Sequence, residues 1–346
     1  MSTDMEESPI HYEDLAEIEA EFEEVDLEMI RKQYTLSAPI YAKRREVVGQ
    51  IPNFWPLVFE QAPPEIDSFI QPTDSEIFGK ALTGFEVSRF EIPVGPENIK
   101  SDASGNPRSL SFKFEFADNE WFTDKAVEKK FWYRRASDGW AGLVSEPVKI
   151  NWKKGRDPTQ GLMDGATKLW EARKKAGDMK KEDLPEYKAL EKLTSQWNGQ
   201  NTSFFTWFAY VSGHQYVSAE ESAAAVRTEA ERKQNKKSGK EVEEAEGEDE
   251  DEELEQDDNP VEVHEAGEEL ANVLAEDLWP SAIKYFTAAQ EMAEMGDLEF
   301  DDEDEDMEDD DDEDGPVDIR ALVQSIGSSK KKAKDEAGPP KKKQKK

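Results

Sequence analysis

The chain has 346 residues, with 80 acidic against 44 basic side chains for a formal net charge of −36, and no cysteine. Zero cysteine excludes disulfides, thiolate zinc sites and cysteine nucleophiles, and three scattered histidines, His11, His214 and His264, give no metal-ligand spacing. Such an excess of carboxylate reduces direct nucleic-acid binding to weak contact at most, because phosphate recognition draws on Lys and Arg, and it makes basic proteins the natural ligands. No run of 18 apolar residues occurs, and the N-terminus has neither a basic nor an apolar stretch, so a membrane span or export signal is not expected and the chain reads as a soluble intracellular protein.

Residues 1–11 are expected to be disordered and 12–50 to form a dimerisation helix. Apolar residues recur at Leu15, Ile18, Phe22, Val25 and Met29, the 3,4 spacing of one helical stripe, and the seam then shifts to Ile30, Tyr34, Tyr41 and Val48. Pro39 lacks a backbone donor and is expected to kink or interrupt the helix. A helix of roughly 50 Å is too long for one small domain to cover, so pairing with a second copy is expected; packing along its own domain is the alternative.

A folded unit is expected over 51–216 and 263–293. IPNFWPLVF closes the helix, and QAPPEI signals a turn. Period-two alternation then places Leu110, Phe112, Phe114 and Phe116 on one face of a strand, with Ser111, Lys113 and Glu115 on the other. Similar strands are read at 84–92, 127–135 and 147–153, giving a four-stranded antiparallel meander whose Phe-rich face needs a helical cover: an α+β fold. Residues 164–196 read as helices divided by Pro185. SFFTWF (203–208) reads as a helix or buried turn with Thr202 or Ser203 as N-cap, its aromatics too dense to be exposed. A final helix from about Gly267 to Met292 carries Leu270, Val273, Leu274, Leu278, Ile283 and Phe286 toward the core and bends at Trp279-Pro280.

The charge sits outside this unit. Glu241–Asp258 holds thirteen acids and Asp297–Asp314 fifteen, neither with a Lys or Arg, so the other 310 residues carry only −8. Such runs cannot bury enough apolar surface to offset chain entropy. Hence 217–262 is expected to be a charged disordered insertion and 294–329 an acidic tail. Residues 330–346, nine of them Lys, read as a basic nuclear localisation segment centred on Lys330, Lys331, Lys332, Lys341, Lys342 and Lys343; pairing with the acidic run within the chain is the plainer alternative.

Three blocks, YAKRREVVGQIPNFW (41–55), SFFTWF (203–208) and EELANVLAEDLWPSAIKYF (268–286), come in this order before an acidic run. Together they resemble the nucleosome assembly protein family, and within it the fungal-type SET (template-activating factor) branch, over roughly residues 12–314. The resemblance implies a homodimer joined by a long N-terminal helix, each subunit ending in an "earmuff" domain of antiparallel sheet under helices. It also implies a histone chaperone that acts in nucleosome assembly and binds core histones, the tetramer-forming pair, the dimer-forming pair or both. Two departures stand out. The link between SFFTWF and the last helix is widened by the charged insertion, and Ala209, Tyr210 and Val211 stand where family members commonly carry polar and acidic residues.

The resemblance carries over Glu268 and Glu269 as histone-facing residues, although acids in a first helical turn also favour the helix dipole. The tail, including Asp301, Asp302, Glu303, Asp304, Glu305 and Asp306, is expected to steer and shield a basic ligand through many weak, salt-sensitive pairs. No nucleotide-binding, nucleophile-elbow or zinc-protease motif is found, so no enzymatic activity, cofactor or metal is expected. The expected location is the nucleus, with shuttling through the cytoplasm on an importin. Two other roles remain open: an adaptor presenting histones to an acetyltransferase, or an escort for other basic nuclear cargo such as ribosomal proteins.

Overall fold

The computed structural model describes residues 12–93, 105–196, 202–212, 216–237 and 261–299. Helix α1 (Tyr12–Val48) is continuous through Pro39, so the expected interruption does not occur. A proline inside a helix, which loses one bond and crowds the preceding turn, costs about 3 kcal/mol. The helix is held on both sides of the proline, by Arg31, whose Nη2 donates to the Gly105 carbonyl at 2.6 Å, and by Val48, which is buried in the core.

The IPNFW block turns the chain at Asn53, which takes the left-handed conformation that Asn tolerates (φ 58°), into α2 (Phe54–Glu60). Short α3 (Pro64–Asp67) and α4 (Pro72–Ala81) follow. Next comes a four-stranded sheet of order β1-β2-β3-β4, antiparallel throughout: β1 (Leu82–Ser88), β2 (Leu110–Phe116), β3 (Ala126–Arg135) and β4 (Ala141–Ser145). The first three strands lie where alternation places them, and Leu110, Phe112, Phe114 and Phe116 share the buried face.

The fourth strand is a correction. It is formed by AGLVS rather than by 147–153, after a turn closed by the bond from Ala136 N–H to the Trp140 carbonyl (2.8 Å). Pro147 has no N–H for a ladder. The segment after it instead runs beside other loops, Val148 N–H donating to the Phe208 carbonyl and Lys153 N–H to that of Trp121, each at 2.7 Å.

Helices α5 (Leu162–Ala176) and α6 (Pro185–Ser195) form the basic hairpin, with Pro185 opening the second. SFFTWF forms a 3₁₀ turn, Phe204–Ala209, capped by Ser203, whose Oγ accepts from Phe205 N–H at 3.2 Å. Phe204, Phe205, Trp207 and Phe208 are completely buried and interleave with Phe59, Phe78, Phe112, Phe114 and Phe131. Each large apolar side chain removed from water contributes ~1.5–3 kcal/mol, so this aromatic layer is a major part of the core.

Residues 217–237 are not a disordered stretch. Val217 is buried against Ala136 and Val144 on the sheet's other face, and α7 (Ala219–Lys237) follows. Ser218 Oγ accepts from Glu221 N–H (3.1 Å), and Arg135 N–H donates to Ser222 Oγ (3.0 Å). A capped first turn bearing Glu220 and Glu221 is enough to start the helix. The chain re-enters the core at Val261, Val263 and His264. It then forms α8 (Gly267–Val273), a π-helical turn (Leu274–Leu278) and, after the bend at Trp279-Pro280, α9 (Ala282–Glu299). Of the expected inward face, Ile283 is instead exposed.

Candidate partner-binding surfaces

Helix α1 presents two faces. Leu15, Ile18, Phe22, Val25 and Met29 are between 50% and 68% exposed, as are Leu36, Ile40 and Val47 further along. At about 100° per residue these eight fall on a single stripe. Tyr34, Tyr41 and Val48, expected on the same seam, lie on a face roughly 120° away, and their own chain occupies them. Val48 is in the core, Tyr41 packs on Trp279 with ring centroids 5.2 Å apart, and burial raises the Tyr34 pKa beside the Arg89 backbone. The exposed stripe runs on to Val47, whereas Tyr34, Tyr41 and Val48 face the domain.

The acid pair that opens α8 divides in the same way. Glu268 Oε1 accepts from Leu143 N–H (3.3 Å) on the outer edge of β4. Burial raises its pKa, partly offset by that bond, so it serves as an edge cap. Glu269 is exposed and is the member of the pair open to a ligand. Gly267 has the Tyr210 ring where a Cβ would stand, 2.2 Å away, and its carbonyl accepts from Trp207 Nε1 at 2.8 Å; this contact seats α8 on the SFFTWF turn.

Further acids on this side carry no motif that would have marked them. Glu262 is pushed up to about 7 by burial and then by repulsion from Glu265, and its Oε1 has no hydrogen-bond partner among the described residues. Tyr285 donates to Asp277 Oδ2 at 2.9 Å and is pushed up to about 12 by burial, by that bond and by the charges of Asp277 and Glu65. An incoming Lys or Arg would relieve the repulsion between Glu262 and Glu265.

The SFFTWF turn is held by two buried charges that match its dipole. At its N-terminal end, Asp74 accepts from Ser203 Oγ (2.6 Å) and from the N–H groups of Phe204 (2.7 Å) and Gln71 (3.0 Å), and burial raises its pKa to about 6. At the other end, Lys129 donates to the carbonyls of Glu146 (2.9 Å), Phe208 (3.1 Å) and Tyr210 (2.5 Å). Desolvation pulls the Lys129 pKa well down. The inward register of Val127 and Phe131 was the available signal for Lys129; a lysine between them reads as solvated.

His264 adds a third buried group. The Thr206 hydroxyl donates to the Ser203 carbonyl (2.8 Å), so His264 Nδ1 carries the proton shared with Thr206 Oγ1 at 3.2 Å. Nε2 is left a bare acceptor with no partner among the described residues. Burial, then the nearby Lys129, lowers its pKa to about 3.

The tail acids Asp301–Asp306 and the lysines Lys330–Lys332 and Lys341–Lys343 lie outside the described residues. Among the described residues no group of three His, Asp or Glu could hold a metal ion, and no helix is long and apolar enough to cross a membrane.

The sequence model of the nucleosome assembly protein (NAP) family matches residues 48–289. The chain belongs to this family. It is 33% identical to a nucleosome assembly protein of Schizosaccharomyces pombe over 156 residues, 42% of this chain and 58% of that protein. NAP1-related protein 2 of Arabidopsis thaliana is 26% identical over 274 residues, 79% of this chain and 72% of that one. Among solved structures, that of Vps75 aligns with a TM-score of 0.48 at 19% identity, covering 81% of this chain and 98% of that one.

Proposed function

We propose that the chain is a homodimeric histone chaperone that binds and shields core histones for nucleosome assembly. The observation that carries this reading is a family domain joined to two carboxylate runs holding −28 of the net −36. Histones are basic enough to bind DNA indiscriminately, and dense carboxylate competes with phosphate for their Lys and Arg. Exposed pairs contribute ~0–1 kcal/mol each, so affinity is the sum of many and falls with salt. Glu269 and the acids Glu65, Glu262, Glu265 and Asp277 add shaped contacts on the domain.

The stripe on α1, exposed among the described residues, supports pairing, and the helix's charges favour an antiparallel pair. Residues 12–28 hold nine acids and no base, whereas 29–48 hold five bases and one acid. A parallel pair would set the acidic halves against each other; an antiparallel pair sets each against a basic half. The lysines of 330–346 are the proposed importin-read signal for a nuclear protein.

The test is a titration of the full-length protein and of a form ending at Gly296 against the tetramer-forming and dimer-forming histone pairs at two salt concentrations. Loss of the tail is expected to weaken binding and flatten its salt dependence; unchanged values would sink the steering role. Light scattering is expected to give twice the 39.4 kDa chain mass. Histones recovered alone from nuclear extract support the chaperone, whereas co-recovery of an acetyltransferase or a dominance of ribosomal proteins would replace it with the adaptor or the escort.

A further inference from the structure

We infer that Arg44 is a positioning residue: it sets the direction of α1 against the domain through the Trp279-Pro280 bend. Its guanidinium carbon lies 4.1 Å from the Trp279 ring centroid, 4.7 Å from that of Tyr41 and 6.0 Å from that of Trp55. Trp55 and Trp279 are themselves stacked, 5.7 Å apart with ring planes 7° from parallel. Nη1 donates to the Trp279 carbonyl at 2.6 Å and more distantly to that of Pro280 at 3.5 Å. Nη2 is buried without a hydrogen-bond partner among the described residues, and the ring faces stabilise the charge instead.

The geometry explains why this residue matters more than the other tethers. Val48, in the core, fixes one point of α1. A point allows the helix to swing; Arg44 one turn back, with Tyr41 a turn further, fixes a line. Further along α1, Arg31 Nη2 donates to the Gly105 carbonyl at 2.6 Å, a single hydrogen bond to a loop, and the other ties, Arg45 to Glu86 and Arg108 to Glu23 (2.8 Å), are ion pairs with exposed or half-exposed partners, the kind that contributes little. Arg44 also joins α1 to the break between the π-helical turn and α9, and so to the acids of α8 and Asp277. If α1 pairs with a second copy, as proposed above, the same contact sets how far apart the two acidic surfaces stand.

Because the chain has no cysteine, Glu24→Cys on α1 and Lys188→Cys on α6, both at exposed positions, give clean spin-label sites. The α1-to-domain distance is read with labelled protein diluted into unlabelled, so only pairs within one chain contribute. Arg44→Met is expected to at least double the width of the distance distribution, with Arg44→Lys intermediate. An unchanged width in Arg44→Met, or equal broadening from Arg45→Met, overturns the assignment. If Arg44→Met does not fold, Arg44→Lys decides it, and an unchanged width there overturns the assignment too. Light scattering on the same samples separates the readings: a monomer with a narrow distance that Arg44→Met broadens removes the dimer while keeping the positioning role.

Discussion

The SFFTWF turn and the first half of α1 are both rich in large apolar side chains, but the fold treats them oppositely. Within the turn every aromatic is buried, and both ends are closed by charges that are themselves hydrogen-bonded. Along α1 the apolar stripe stays open, and the helix is tied to the domain from its other face. The difference lies in geometry. A six-residue 3₁₀ turn fits beneath a four-stranded sheet, whereas a 37-residue helix, about 55 Å long, cannot be covered by it. One region therefore stabilises the chain, and the other is available for association.

The largest effect should come from breaking the turn. Trp207→Ala is expected to cost ~3–5 kcal/mol, read from the denaturant midpoint. The double change Phe22→Asp with Met29→Asp should leave that midpoint in place and raise the dimer dissociation constant at least a hundredfold by sedimentation equilibrium. A lowered midpoint in the α1 variant would show that the stripe serves the domain after all.

The buried charges sharpen the comparison through pH. Below about 6.5 the unfolded chain takes up a proton that His264, held near 3 in the fold, refuses, so stability falls as pH drops. Asp74, held near 6, keeps its proton in the fold between about 4 and 6 and loses it in the unfolded chain, so its contribution grows as pH falls and is lost as pH rises. Each full proton difference is worth about 1.4 kcal/mol per pH unit, and the two oppose between pH 4 and 6. His264→Asn removes one side. Its stability is expected to rise between pH 6 and 4 relative to the parent, and parallel curves in urea denaturation would refute the assignment.

The smallest effects separate two adjacent glutamates. Glu268→Gln should cost ~1 kcal/mol by weakening the cap on β4, with histone affinity following only through stability. Glu269→Gln should leave the midpoint unchanged and weaken binding by no more than about fivefold, the range of one exposed pair. Equal losses of affinity would return both to the ligand-facing surface.

Much of the fold was legible in local pattern, because alternation and helical spacing are properties of neighbouring residues. Three strands, the Pro185 division, the Ser203 cap and the bend at Trp279-Pro280 all fall where those rules place them. The fourth strand was misplaced because KINWK alternates whereas AGLVS, buried at four successive positions, does not, and only the register against β3 decides between them. The helix at 219–237 was hidden by composition, since its anchors, Val217 and Ser222, are set by contacts with β3 and β4.

By itself the sequence determined where the negative charge lies, in two acidic runs, and the family, through three blocks in order. Which residues remain free to act was decided only in the tertiary structure. The stripe on α1, the burial of Lys129 and the division of Glu268 from Glu269 depend on which face meets a neighbour, and that neighbour is tens to hundreds of residues away in the chain.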